Sequence, residues 1–125
     1  MPVSTPLCPQ RLTIEHLTSR WGVLVLIRLL EGTHRFTELR RAIAAMESVG
    51  EVTEKMLGQT LHSLERDGLV HRDAKPVVPP HVEYSLTDLG HEAAVQIRAL
   101  ARWTDEHRER VERARREYDA GRAGV

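Results

Sequence analysis

The 125-residue sequence places polar and charged side chains of recognisable chemistry at intervals that bring them together. Thr53, Glu54, Lys55, Gln59 and His62 recur on the outer side of a single helical stretch. Their hydroxyl, ammonium, amide and imidazole groups are of the kind that meet base edges in a major groove, where Gln reads adenine and Lys takes guanine or a phosphate. Glu54 equally suits the positive end of the helix dipole. Arg35, Arg40, Arg41, Arg72 and Lys75, with His81 beside them, are cations able to grip phosphates around such a helix. A different chemistry belongs to Cys8, the one cysteine of the chain. A thiol at a helix cap, next to Pro9 in the first turn, faces free N–H groups that lower its pKa and favour the reactive thiolate. The plainer reading of Cys8 is a small, partly buried residue at a helix start.

Other chemistries are poorly served. His91-Glu92-Ala93-Ala94-Val95 begins like a zinc-protease helix but lacks the second histidine, and no Gly-rich phosphate loop or nucleophile elbow occurs, so no enzyme is expected. Seven histidines without a cysteine cluster make no zinc finger. His71 and His81 could meet across a hairpin, but two ligands are too few for a metal site, and no metal or other cofactor is implied. Eighteen Lys and Arg balance eighteen Asp and Glu. Any basic surface must therefore arise by arrangement. From residue 35 to 75 acids equal bases, so Glu47, Glu51, Glu65 and Asp73 would have to face elsewhere. The longest apolar run, Trp21 to Ile27, falls far short of the roughly 20 residues that span a bilayer. Residues 1–10 show no secretion signal. The expectation is a soluble, cytoplasmic protein with no membrane partner.

The elements that must position these residues follow from periodicity. Residues 1–7, with two prolines, read as a flexible arm. A short helix carries Leu12, Ile14, His16 and Leu17. A second, from about Arg20 to Glu31, is apolar almost all round and must be the buried central helix. A third, Phe36 to Ala45, buries Phe36, Leu39 and Ile43. After the polar stretch MESVGEV, Thr53 caps a fourth helix with a buried stripe of Met56, Leu57, Leu61 and Leu64, ending at Asp67-Gly68. The period then becomes two, giving strands over Leu69–Ala74 and His81–Leu86, joined by the stiff, proline-rich loop Lys75–Pro80. Thr87 caps a last helix whose stripe runs through Leu89, Ala93, Ile97, Leu100, Trp103, His107, Val111, Ala114 and Tyr118. About 30 residues make a rod of ~45 Å, longer than the body can cover. The surplus stripe predicts burial against a second copy, with Leu12, Leu100, Trp103, His107 and Val111 at the seam.

Helix, helix, polar turn, helix, strand, wing, strand is the order of a winged helix-turn-helix. The expected fold is thus mainly α with a small β-hairpin, flanked by N- and C-terminal dimerisation helices. The runs Cys8-Pro9, Ser19–Gly22 (SRWG), Arg35–Arg41 (RFTELRR), Thr53–Leu57 (TEKML), Leu61–Val70 (LHSLERDGLV), Val78-Pro79-Pro80 and Val82–Gly90 (VEYSLTDLG) closely resemble the HxlR-type transcriptional regulators, relatives of the MarR group. The resemblance covers Cys8 to Trp103. It implies a homodimer that binds double-stranded DNA at a palindrome and a cysteine near the N-terminus, matched by Cys8, that senses an oxidant, an electrophile or another small molecule. The sequence departs from the family between the third and fourth helices, where Ala44–Glu51 replaces a tight link resembling Pro-Gly. The corresponding organisation is an arm at 1–7, a DNA-binding domain at 8–103, a long dimerisation helix at 88–118 overlapping the domain end, and a disordered tail at 119–125. The rival reading is a protein-interaction module on the same scaffold.

Overall fold

The structure, a computed structural model, describes residues 8–46 and 52–123. Its elements are α1 (Cys8–Thr18), α2 (Arg20–Leu29), β1 (His34–Arg35), α3 (Phe36–Met46), α4 (Glu54–Arg66), β2 (Val70–Lys75), β3 (His81–Leu86), α5 (Asp88–Glu106) and α6 (Arg108–Ala123). The expected arm at 1–7 and most of the polar stretch before Thr53 lie outside the described residues. The third helix, expected to end at Ala45, runs one residue further to Met46, so the first residues of the departure from the family pattern are helical.

Helix α2 runs through the middle, packed by α1, α3, α4 and α5. Ser19 starts it, its hydroxyl accepting the Gly22 N–H at 3.1 Å, as expected of a serine in extended backbone at a cap. The core is aliphatic: Val25, Leu26 and Leu29 of α2 meet Leu39 and Ile43 of α3, Leu57, Leu61 and Leu64 of α4, and Ala94 and Ile97 of α5. Tyr84 is also buried, with its ring tilted against Phe36 at 6.4 Å between centroids.

The sheet has three antiparallel strands in the order β1-β3-β2. The expected hairpin is present, and β1 adds His34 opposite Tyr84 and Arg35 opposite Glu83. Two residues are too few to show an alternating pattern, which is why this strand is invisible to periodicity.

Helix α4 ends where Gly68, at φ +78°, lets the chain turn back, with the Leu69 N–H bonded to the Leu64 carbonyl at 2.9 Å. The start of α5 lies on this turn. The Thr87 hydroxyl donates to the Gly68 carbonyl at 2.7 Å and accepts from the Gly90 N–H at 3.0 Å, while the Thr87 N–H bonds to the Leu69 carbonyl at 3.1 Å. Gly90 is buried here, and a Cβ at this position would overlap the Leu69 carbonyl.

Several details differ from the periodic reading. Met56 is exposed, because it stands one residue, about 100°, from the stripe of Leu57, Leu61 and Leu64. In α5 the buried residues are Gly90, Ala94 and Ile97, whereas Leu89, Leu100 and Trp103 share a second apolar face that is open to solvent. The long rod is interrupted at His107, which leaves helical geometry at φ −106° and ψ 10°. Its Nδ1 lies 2.8 Å from the Trp103 carbonyl, the acceptor that its own backbone N–H also uses, so a side chain has entered the helical ladder. Beyond the break α6 continues to Ala123, where a disordered tail from 119 was expected. Arg, Glu and Ala favour helix there, and Arg122 extends the helix by stacking over Tyr118 and donating to its hydroxyl at 3.2 Å.

Candidate nucleic-acid interface

Thr53 caps α4 as expected: its backbone is extended and its hydroxyl accepts the Met56 N–H at 3.1 Å. The buried leucines at 57, 61 and 64 fix the rotation of the helix on the core. At 100° per residue, Lys55, Gln59 and His62 then fall on the opposite side, within one stripe, and all three are exposed. None of the three side chains has a hydrogen bond or ion pair to another described residue. Arg66 continues the same stripe. It stands four residues on from His62, on the side of the helix that the sequence pattern leaves outside.

The expected cations fall into two kinds. Arg35 and Arg41 on the α3 side and Arg72 on β2 are exposed and make no side-chain hydrogen bond or ion pair with a described residue. Arg35 is well anchored at its backbone, whose N–H donates to Glu38 Oε1 at 2.9 Å. Arg40, by contrast, is turned inward: its Nε donates to the Val52 carbonyl at 3.2 Å and one terminal nitrogen reaches Glu54 Oε1 at 3.2 Å. Of the expected phosphate-gripping cations, Arg40 is thus one that is engaged within the fold. Glu54 pairs with Arg40 through one carboxylate oxygen, and its side chain stays 74% exposed.

The wing root is also more neutral than its cations imply. Lys75 Nζ lies 2.7 Å from Asp73 and 4.0 Å from Glu83, and His81 Nε2 lies 3.2 Å from Glu83. The hydrogen bond from Lys75 holds the Asp73 carboxyl below its ordinary range, and the same bond raises the Lys75 ammonium. Asp73 therefore does not face away from the basic cluster as expected. Register explains the grouping. Asp73 pairs with Glu83 and Lys75 with His81, so all four share one sheet face, together with Arg35 across from Glu83. Arg72 pairs with Tyr84 and belongs to the other face. Arg35 comes close to the wing, lining a shallow hollow with Phe36, Thr37, Pro80, His81 and Val82. His71 stands opposite Ser85, four residues along the strand from His81's partner, so the two histidines do not meet. Among the described residues no group of three His, Cys, Asp or Glu could hold a metal ion.

The residues expected at a seam are accessible. Leu12 is 44% exposed, Leu100 56%, Trp103 52% and Val111 37%. His107 is half-buried because its ring stacks on Trp103, with centroids 4.5 Å apart. Cys8, expected at the cap, lies within the described span of α1. The expectations for its thiol lie outside the described side chains. No helix among the described residues is long and apolar enough to cross a membrane.

Residues 16–112 match the family model described as HxlR-like helix-turn-helix. The uncharacterized HTH-type transcriptional regulator YtfH of Escherichia coli (strain K12) is 56% identical over 98 residues, covering 78% of this chain and 73% of the relative. Among solved structures, the regulator ytfH from Salmonella typhimurium is 49% identical, with a TM-score of 0.76 over 86% of this chain and 91% of that one. The redox regulator HypR in its reduced form is 33% identical, with a TM-score of 0.71 over 83% of this chain and 97% of its own.

Proposed function

The chain belongs to the HxlR-like helix-turn-helix family of transcriptional regulators, and from that premise we propose that it binds double-stranded DNA sequence-specifically, as a homodimer on a palindromic operator. The observation that carries this reading is the outer face of α4. Lys55, Gln59 and His62 stand in a row directly across the helix from the leucines that seat it, with no described partner of their own. A major groove admits such a helix and offers acceptors and donors to these groups. Arg35, Arg41 and Arg72 flank it as phosphate contacts, and the wing formed by β2, β3 and residues 76–80 reaches the neighbouring backbone or groove.

The dimer rests on the open apolar face of Leu89, Leu100 and Trp103, continued by Val111 and joined by Leu12. Two copies paired along it present two α4 helices about one DNA turn, roughly 34 Å, apart. Such a regulator acts where its DNA is, in the cytoplasm. Cys8 adds a signal input. HypR, a redox regulator solved in reduced and oxidised forms, supports the reading that oxidant or electrophile chemistry at the Cys8 thiol changes operator affinity. A loss of that response in Cys8→Ser is the expected result, and an unchanged response removes Cys8 from the switch.

The first test is selection of bound sequences from a random duplex pool by the reduced, full-length protein at near-physiological salt. The expected result is an enriched palindrome. With that duplex, Gln59→Ala should alter base preference, while Arg35→Ala should weaken all sequences alike. Equal weakening by Gln59→Ala means that α4 is not the reading helix. No enrichment with either reduced or oxidised protein overturns the DNA-binding reading in favour of a protein-interaction module.

A further inference from the structure

We propose that Arg40 is a positioning residue that sets the sequence selectivity of α4 by fixing where the helix starts, and not a phosphate contact. The proposal rests on the DNA-binding reading above, but its argument is internal to the fold. Two donors of one guanidinium engage acceptors on either side of the cap residue Thr53. Nε takes the Val52 carbonyl at 3.2 Å, and a terminal nitrogen takes Glu54 Oε1 at 3.2 Å. The Val52 side chain is only 2% exposed, so the peptide that Arg40 holds is itself anchored in the core. The Val52 carbonyl precedes the helix and has no helical partner, and Arg40 supplies its donor.

The Arg40–Glu54 ion pair alone carries little weight, since the two side chains are 40% and 74% exposed. The geometry matters more than the charge. A planar guanidinium presents Nε–H and terminal N–H groups in a fixed fork, so satisfying both acceptors constrains the residue before the cap and the first helical residue relative to α3. Lys55 follows Glu54 directly, and Gln59 lies just over one turn further on. Base-edge hydrogen bonds need placement within about 0.5 Å, whereas phosphate contacts tolerate slack. A loosened helix start therefore costs selectivity before it costs general affinity. Lysine keeps the charge of Arg40 but has no donor equivalent to Nε–H.

The experiment compares wild type, Arg40→Lys and Arg40→Ala, with Arg35→Ala as the phosphate-contact control. Each is titrated with the selected palindrome and with a scrambled duplex across a salt series. Expected for both Arg40 variants is a drop of about tenfold or more in the specific-to-scrambled affinity ratio, with scrambled-duplex affinity and the salt slope unchanged. Arg35→Ala should lower both affinities and reduce the slope by about 0.9. An Arg40→Lys protein with wild-type selectivity overturns the proposal, as does an Arg40→Ala protein that behaves like Arg35→Ala. Hydrogen exchange in the free proteins supplies a measurement independent of DNA. The Met56 and Leu57 amides, bonded to the Thr53 hydroxyl and carbonyl, should exchange faster in folded Arg40→Lys than in wild type. Unchanged exchange overturns the proposal even if wild type binds no duplex, whereas failure of wild type alone to select DNA overturns only the reading on which it rests.

Discussion

The winged body and the C-terminal arm use apolar side chains in opposite ways. In the body, α2, α3 and α4 each turn an aliphatic stripe onto a shared core, and Leu26, Leu39, Ile43 and Leu57 are fully buried. Along the arm, from Leu100 through α6, the stripe is just as regular but α6 buries no residue at all. The difference teaches that periodicity identifies an apolar face without saying whose surface covers it. In the body the cover is the chain itself. For the arm, the proposed second copy supplies it.

Substitutions can separate the two regions. The largest effect is expected for Leu26→Ala, which should leave a cavity at the centre of the body and lower its stability by about 2–5 kcal/mol in urea unfolding. Trp103→Ala should barely change the stability of the body itself but raise the dimer dissociation constant by about tenfold or more in sedimentation velocity, because a half-exposed aromatic is a typical anchor of an interface. A variant that stays fully dimeric contradicts the proposed seam. His16→Ala probes an intermediate case, the contact between His16 Nδ1 and Asp67 at 2.6 Å that ties α1 to the end of α4, with both side chains largely covered. A loss of about 1.5 kcal/mol is expected, measured by thermal or urea unfolding.

The smallest effect belongs to the exposed wing. Asp73 is held below its usual 3.8, so its contribution is present above that value and disappears as pH falls through the depressed one. Lys75 is raised above its usual 10.5, so its contribution is present below that value and is lost as pH rises through the raised one. The pair thus stands throughout the neutral range. A carboxyl titration followed by NMR should place the Asp73 midpoint below 3.8. Asp73→Asn should release Lys75 and modestly strengthen binding to any duplex at low salt, and a weakening instead would show that the pair shapes the wing rather than masking it.

Much of the body is legible from its sequence because each of its signals is local. Thr53 and Thr87 cap the helices expected of them, Gly68 ends α4, and the leucines at 57, 61 and 64 repeat at helical intervals. The family resemblance carried by the same segments was equally readable. What sequence could not supply depends on partners in space. Arg40 reads as one more surface cation until Val52 and Glu54 are brought against it. Lys75 and Arg72 look equivalent until the register puts them on opposite faces. The break at His107 arises from a side chain competing for a backbone carbonyl, with no proline or glycine to announce it.

The joint at Gly90 has a mechanical consequence. With the Thr87 hydroxyl bridging Gly68 and Gly90, and no room for even a methyl group between Gly90 and the Leu69 carbonyl, the root of β2 and the first turn of α5 move as one piece. The tight packing lies between the start of α5 and the root of β2, upstream of the break at His107. In the proposed dimer, a change in the angle at which the α5 helices cross would then be passed to the roots of both wings through this joint.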